Sequence, residues 1–125
     1  MKILVIDDSG VMRRIHINLL QEQKIDGAEI LEAEDGQRAL ELAQTRHIDL
    51  FLVDWNMPKL DGLELVKTLR LMDEYAESPI IMITSEAARY NVVEAIQAGV
   101  TNYIVKPIKG NLIWEKIGKY FGGES

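Results

Sequence analysis

Three short runs of apolar residues recur along the chain, and none of them alternates with polar residues. They are Ile3 to Ile6, Leu50 to Val53 and Ile80 to Ile83, each four residues long and rich in Val, Ile and Leu. Strands that are buried on both faces of a sheet show this pattern. Two weaker strands, 29–33 and 103–105, carry more polar residues, which predicts that they lie at the edges of the sheet.

The segments between these strands carry apolar residues three or four positions apart, as amphipathic helices do. The five sets are Val11, Ile15 and Leu19; Ala39, Leu42 and Ala43; Leu63, Val66 and Leu69; Val92, Val93 and Ile96; and Leu112, Ile113 and Ile117, with Lys116 among them. Glycines and one Ser-Pro pair separate the segments, as expected between elements. Alternation of strands and helices predicts an α/β fold, an open doubly wound parallel sheet with helices on both faces.

Composition and charge narrow the class of protein. A chain of 125 residues that is 47% hydrophobic predicts one domain with a sizeable core. The absence of cysteine excludes disulfides and thiolate metal sites, so we expect an intracellular, cytoplasmic protein. A net charge of -6 argues against nonspecific binding to nucleic acid or to anionic membranes. No apolar run is long enough for a signal peptide or a transmembrane helix, which predicts no membrane insertion.

Polar residues that could bind a ligand or take part in a reaction follow four of the predicted strands. Asp7 and Asp8 follow the first strand, Asp54 the third, Thr84 the fourth and Lys106 the fifth. Open α/β sheets bind ligands outside the carboxyl ends of their strands. Taken singly, Asp8, Thr84 and Lys106 are also compatible with ordinary capping and turn roles. Together, we expect these side chains to converge on one rim of the sheet.

Such a rim suits phosphoryl transfer. Three neighbouring carboxylates repel one another unless a cation offsets their charge, and a site of oxygen ligands suits Mg²⁺. A carboxylate can act as a nucleophile, and Asp54 has the central position for that role. Lys106 and Thr84 would supply a positive charge and a hydrogen-bond donor to the phosphoryl oxygens. The chain has no Gly-rich nucleotide loop and no hydrolase elbow, and we expect His16 and His47 at surface or half-buried positions.

In combination and order, these residues resemble the receiver domains of bacterial two-component response regulators, in particular the single-domain chemotaxis regulators. The likeness covers Ile3 to Phe121 and implies a flavodoxin-like sheet of strand order 2-1-3-4-5, with residues 1–125 forming one receiver domain. The motifs that carry it are Val5-Ile6-Asp7-Asp8, Met12-Arg13-Arg14-Ile15, Glu32-Ala33-Glu34-Asp35-Gly36, Asp54-Trp55-Asn56-Met57-Pro58 with Asp61-Gly62, Thr84-Ser85-Glu86, Gln97-Ala98-Gly99, and Tyr103 ahead of Lys106-Pro107.

The resemblance implies that Asp54 accepts a phosphoryl group from a histidine kinase in a self-catalysed, Mg²⁺-dependent reaction. The protein would be a signalling switch and no enzyme beyond its own phosphorylation and dephosphorylation. Asp8, Asp54 and the backbone carbonyl of Asn56 would hold the Mg²⁺, with Asp7 acting mainly through a water molecule. Lys106 and Thr84 would contact the phosphoryl group, and the Lys106-Pro107 bond would be cis.

The resemblance also implies a switch and an output surface. Phosphorylation would move Thr84 and rotate Tyr103 inward, and Asn56 with Glu86 would tune dephosphorylation. The output surface would comprise the fourth helix, fifth strand and fifth helix, including Ala87, Tyr103, Lys116 and Lys119. Residues 106–119 hold four Lys and one Glu, which could attract an acidic partner or form an ordinary solvated helix face. Tyr90 and Trp114 depart from the family pattern near this surface and leave the partner's identity open.

The expected partners are a histidine kinase of the chemotaxis type and the flagellar motor switch protein or another output protein. A phosphatase is a further candidate partner, and we expect a monomer. One alternative is a phosphorelay intermediate or phosphate sink. Another is a phosphatase with an aspartyl intermediate, although Asn56 stands where such enzymes carry a second carboxylate as general acid. A flavin-binding module on a similar fold is a further alternative.

Overall fold

The computed structural model of this chain describes residues 1–23, 27–55, 57, 60–84, 89–106 and 110–121. Its core is one parallel sheet of five strands in the order β2-β1-β3-β4-β5. This order confirms the predicted fold and places the two more polar strands at the edges. The strands are β1 (Lys2–Ile6), β2 (Glu29–Ala33), β3 (Leu50–Asp54), β4 (Ile80–Thr84) and β5 (Asn102–Val105).

Five α-helices alternate with the strands, as predicted. They are α1 (Gly10–Glu22), α2 (Gly36–Thr45), α3 (Gly62–Arg70), α4 (Arg89–Ala98) and α5 (Gly110–Ile117), with short 3-10 helices at Asp73–Tyr75 and Gly118–Phe121. Side chains of Ser9, Asp35 and Asp61 cap α1, α2 and α3 by accepting a backbone N–H three residues later. Within the described residues, no helix is long and apolar enough to span a membrane.

The sheet lies between two apolar layers. Along β1, Leu4 and Ile6 pack into the layer that holds α2, α3 and the buried part of α4, whereas Ile3 and Val5 pack into the layer that holds α1 and α5. Every residue of β3 and β4 is buried. Burial on both faces explains why these strands are continuous apolar runs in the sequence.

Two polar residues close the central strands. The sequence pattern predicted that β3 and β4 end at Val53 and Ile83, but each strand extends one residue further. Asp54 and Thr84 are therefore the last residues of their strands instead of the first residues after them. Hydrogen bonding to neighbouring strands holds both backbones at the carboxyl rim of the sheet.

The buried face of α1 differs from the predicted one. Val11 is 72% exposed and Ile15 is 42% exposed, whereas His16, Ile17 and Leu20 are buried. Both sets of positions fit a helical period, so the period alone does not decide which set faces the core. The packing of α1 against β1 and α5 makes that choice. On α4, likewise, Val93 and Ile96 are exposed while Ala95 is buried.

Tyr75 links the end of α2 to the segment that precedes β3. Its side chain is fully buried, and its hydroxyl oxygen lies 2.7 Å from the carbonyl oxygen of Ala43 and 2.9 Å from that of Arg46. The same hydroxyl accepts the backbone N–H of Ile48 at 3.3 Å.

We expect Tyr75→Phe to lower the free energy of unfolding by about 2 kcal/mol, because it leaves these backbone groups without their hydrogen-bond partner. Urea denaturation of both proteins measures this, and equal midpoints would contradict it.

His16 is buried, so the expectation of a surface or half-buried position is wrong for this residue. Its side chain is 1% exposed, and neither ring nitrogen has a hydrogen-bond partner among the described residues. Burial lowers the pKa of His16 below 6.5; the charge of Asp7 opposes this shift and that of Lys106 adds to it. Because α1 packs with this face toward the core, the polar His16 ring occupies a buried position where an apolar side chain would leave no hydrogen-bonding group unpaired.

We expect His16→Leu to raise the free energy of unfolding by about 1 kcal/mol at pH 7. The free energy of unfolding should also decrease less on acidification in this variant than in the wild type. A lowered pKa in the folded state means that the unfolded chain binds more protons, so stability falls as the pH drops below about 6.5. Urea denaturation at pH 7, 6 and 5 tests this.

His47 provides the matched control. It is exposed, and its hydrogen bond to Glu74 raises its pKa, so its contribution is present at low pH and fades as the pH rises. His47→Gln should therefore keep the acid loss that His16 causes. An acid loss in His16→Leu as large as in the wild type would contradict the role assigned to His16.

Candidate functional site

Three carboxylates meet at the carboxyl rim of the sheet. Asp7, Asp8 and Asp54 each offer an oxygen atom, and these atoms all lie within 4.8 Å of one another. Asp7 and Asp54 are buried, whereas Asp8 is exposed. Hard cations such as Mg²⁺ prefer carboxylate oxygens, and the exposed Asp8 leaves one side of the cluster open to solvent. The cluster could therefore hold a divalent metal ion.

Strand pairing brings the carboxylates together. Ile6 of β1 pairs with Val53 of β3, so the residues that follow, Asp7 and Asp54, lie side by side at the carboxyl rim. The Asp7 carboxylate accepts the backbone N–H of Ser9 at 2.9 Å, which closes a tight turn between β1 and α1. This turn places Asp8 over the rim.

Lys106 reaches the cluster from the end of β5. Its ammonium nitrogen lies 3.1 Å from Asp54 Oδ1 and 3.5 Å from Asp7 Oδ2. Its backbone N–H donates to the carbonyl of Thr84, the buried residue that ends β4. Thr84 and Lys106 thus stand next to Asp54 on the same rim.

The electrostatics of the cluster favour additional positive charge. Burial raises the pKa of Asp54 above its usual value, the charges of Asp7 and Asp8 raise it further, and Lys106 lowers it in part. In the described residues, the Lys106 ammonium pairs with two of the three carboxylates, those of Asp7 and Asp54. A net charge of about minus two is left when all three are ionised, which a single divalent cation would balance.

Gly62 permits the start of α3 to lie against the end of β3. A Cβ atom at this position would lie 2.4 Å from the backbone oxygen of Asp54, closer than any side chain can approach. The Gly62 N–H donates to the carbonyl of Trp55 at 2.9 Å. The Asp61-Gly62 pair therefore both caps α3 and holds the end of β3 in place.

The predicted output surface is described in part. Tyr103 on β5 is half-buried, and the ammonium of Lys116 on α5 lies 5.5 Å from the centre of its ring. This distance is within the range of a cation–π interaction. Asn56, Glu86, Ala87 and Pro107, together with the side chain of Lys119, lie outside the described residues. Their roles, the cis bond and the function of the site residues stay predictions.

Arg13 contacts the site although the sequence assigned it no role. Its Nη1 donates to the carbonyl oxygen of Asp7 at 2.8 Å, and its Nε donates to Glu32 at 2.9 Å. The neighbouring Arg14 is exposed. The sequence shows two adjacent arginines, and only the orientation of α1 distinguishes them.

The response regulator receiver domain family matches residues 3–118, and the chain belongs to this family. Its curated relatives include CheY-type chemotaxis proteins. Chemotaxis protein CheY-3 of Vibrio cholerae is 43% identical over 121 residues, which cover 97% of this chain and 92% of that protein. The CheY homolog of Campylobacter jejuni is 44% identical over 123 residues, covering 98% of this chain and 93% of that protein.

Solved structures agree with this assignment. The crystallised chemotaxis response regulator CheY4 of Vibrio cholerae matches with a TM-score of 0.87 and 33% sequence identity. The match covers 95% of this chain and 97% of that one. The likeness therefore extends over the whole sheet and its helices.

Proposed function

We propose that this protein is a phosphorylation-activated response regulator that takes a phosphoryl group from a histidine kinase onto Asp54. The supporting observation is the position of Asp54. It ends the central strand β3, buried beside Asp7 and 3.1 Å from the Lys106 ammonium. A buried carboxylate with an ammonium beside it and further carboxylates for a cation is suited to attack on phosphorus.

In the proposed reaction, an Asp54 carboxylate oxygen forms a bond to phosphorus. The bond between phosphorus and the histidine nitrogen of the kinase breaks, and its electron pair stays with the imidazole. Lys106 turns from the Asp54 carboxylate to a phosphoryl oxygen, and the Thr84 hydroxyl donates to another. Asp8, Asp54 and the carbonyl of Asn56 would hold Mg²⁺, with Asp7 acting through water, and the ion would offset the charge of carboxylates and phosphoryl group.

Labelling tests this proposal. Incubation with a kinase carrying radioactive phosphohistidine should transfer the label to this chain in the presence of Mg²⁺, and EDTA should prevent the transfer. Hydroxylamine should release the label, since it cleaves acyl phosphates. The absence of label under Mg²⁺, with a kinase shown to label an authentic receiver, would refute the proposal.

We further propose that phosphorylation acts in chemotaxis, with the flagellar motor switch protein as the target of the cytoplasmic monomer. The CheY-type relatives support this pathway. Thr84 would move toward the phosphoryl group and Tyr103 would rotate inward, changing the surface of Tyr103, Lys116, Lys119 and Ala87. Asn56 and Glu86 would set the lifetime of the phosphoryl group. Binding of a motor-switch peptide should tighten on phosphorylation, whereas unchanged binding would favour a phosphorelay intermediate or phosphate sink.

A further inference from the structure

Arg13 joins three elements at the edge of the carboxylate cluster. It lies on α1, its Nη1 donates to the backbone oxygen of Asp7, which directly follows β1, and its Nε donates to the Glu32 side chain on β2. Its side chain is only 19% exposed. A planar guanidinium offers its hydrogen bonds in fixed directions, so two acceptors, one directly after β1 and one on β2, determine its orientation.

The bonded carbonyl of Asp7 belongs to the peptide unit that joins Asp7 to Asp8. The Asp7 side chain accepts a second hydrogen bond, from the backbone N–H of Ser9. Rotation of this peptide unit would change the directions in which both carboxylates leave the backbone. The guanidinium therefore restrains the part of the chain that presents two of the three carboxylates.

We propose that Arg13 is a positioning residue for the metal site, which holds the Asp7-Asp8 turn in the geometry that binds Mg²⁺. This inference rests on the proposed function, because it assumes that the cluster binds this ion. Arg13 touches neither the ion nor the phosphoryl group in this scheme; it acts through the backbone of Asp7. Groups that orient metal ligands commonly change metal affinity about 10-fold or more when they are removed.

The charge of Arg13 makes the proposal distinguishable from simple electrostatics. Removing a positive charge near three carboxylates should by itself strengthen the binding of a cation. Removing a restraint on the ligands should weaken it. A purely structural residue would lower the melting temperature and leave the affinity of the folded protein for Mg²⁺ unchanged.

The experiment is a Mg²⁺ titration of the ¹⁵N-labelled protein, following the amide signals of Asp8 and Trp55 by NMR. We expect Arg13→Gln to raise the dissociation constant for Mg²⁺ about 10-fold. Arg13→Lys should also raise it, because one ammonium keeps the charge but not the two fixed bonds. The spectra report at the same time that each variant is folded, and the lysine variant serves if the glutamine variant does not fold.

Arg38→Gln is the matched control. Arg38 and Arg13 line one surface cleft together with Glu32 and Glu34, but the Arg38 guanidinium pairs with the exposed Glu41 of its own helix. This variant loses the same charge and should bind Mg²⁺ as tightly as the wild type or slightly more tightly. A dissociation constant in the folded Arg13 variants at or below that of the wild type would overturn the proposal. A wild-type protein that does not respond to Mg²⁺ would instead refute the metal site itself, and this inference with it.

Discussion

Asp54→Asn is expected to reduce phosphoryl labelling by at least about 100-fold, because an amide has no carboxylate oxygen to attack phosphorus. The same variant should have a higher melting temperature than the wild type in metal-free buffer at pH 7. Burial and the charges of Asp7 and Asp8 raise the pKa of Asp54, and the Lys106 ammonium only partly opposes them. The ionised Asp54 carboxylate is therefore destabilising when no cation is bound.

The pH dependence of this difference follows from the direction of the shift. When the pKa of a carboxyl group is higher in the folded than in the unfolded protein, its protonated form stabilises the fold. This stabilisation is complete below the pKa in the unfolded chain, about 3.9, and is lost as the pH rises through the pKa in the folded protein. The stability advantage of Asp54→Asn should therefore grow from acid to neutral pH. Mg²⁺ should stabilise the wild type more than the variant, which lacks one ligand carboxylate.

Labelling with the phosphorylated kinase and thermal unfolding with and without Mg²⁺ measure these effects. Asp73→Asn is a suitable control, since it makes the same change at an exposed position in the 3-10 helix before β4. It should keep wild-type labelling and Mg²⁺ response. Persistent labelling of Asp54→Asn would exclude Asp54 as the phosphoryl acceptor.

Lys106→Ala is expected to slow phosphorylation about 100-fold, since it removes the charge that faces the developing negative charge on the phosphoryl oxygens. Its effect on stability should be opposite to that of Asp54→Asn. Without the ammonium, the buried Asp7 and Asp54 carboxylates lose their ion-pair partner. The melting temperature in metal-free buffer should fall, and Mg²⁺ should restore part of the loss.

Single-turnover labelling by a small phosphodonor such as acetyl phosphate measures the rate without contributions from kinase binding. Lys67→Ala removes an exposed lysine on α3 that pairs only with its helix neighbour Glu64 among the described residues, and it should label at the wild-type rate. A Lys106→Ala protein that labels as fast as this control would show that the ammonium does not stabilise the transition state.

The apolar runs in the sequence predict most of the sheet, because a strand that is buried on both faces consists of a short continuous run of apolar residues. The runs Leu50 to Val53 and Ile80 to Ile83 are central strands, and their bounds differ from the structure by a single residue each. The position of the site followed from the same reasoning. Parallel strands end at one edge, so Asp54 and Lys106, 52 positions apart in the numbering, lie on the same rim although β4 separates their strands.

Helix orientation could not be predicted in the same way. Two sets of positions in α1 are compatible with a helical period, namely 11, 15 and 19, and 16, 17 and 20. In the structure the polar His16 is buried, whereas the apolar Val11 is exposed. The residues buried with Ile17 and Leu20 include Ile113 and Ile117 of α5, nearly 100 positions away. The local sequence of α1 therefore does not indicate which of its faces packs against α5.

The sequence by itself determined the alternation of strands and helices, the residue types at the rim and the family to which they point. These depend on local periodicity and on the rule that parallel strands share one end. Only the tertiary structure decided that His16 is buried with no hydrogen-bond partner among the described residues. It also decided that the Tyr75 hydroxyl lies within hydrogen-bond distance of three backbone groups, and that Arg13 instead of Arg14 holds the Asp7 carbonyl. Each of these depends on contacts between separate elements, whose relative rotation is set by packing and not by the local chain.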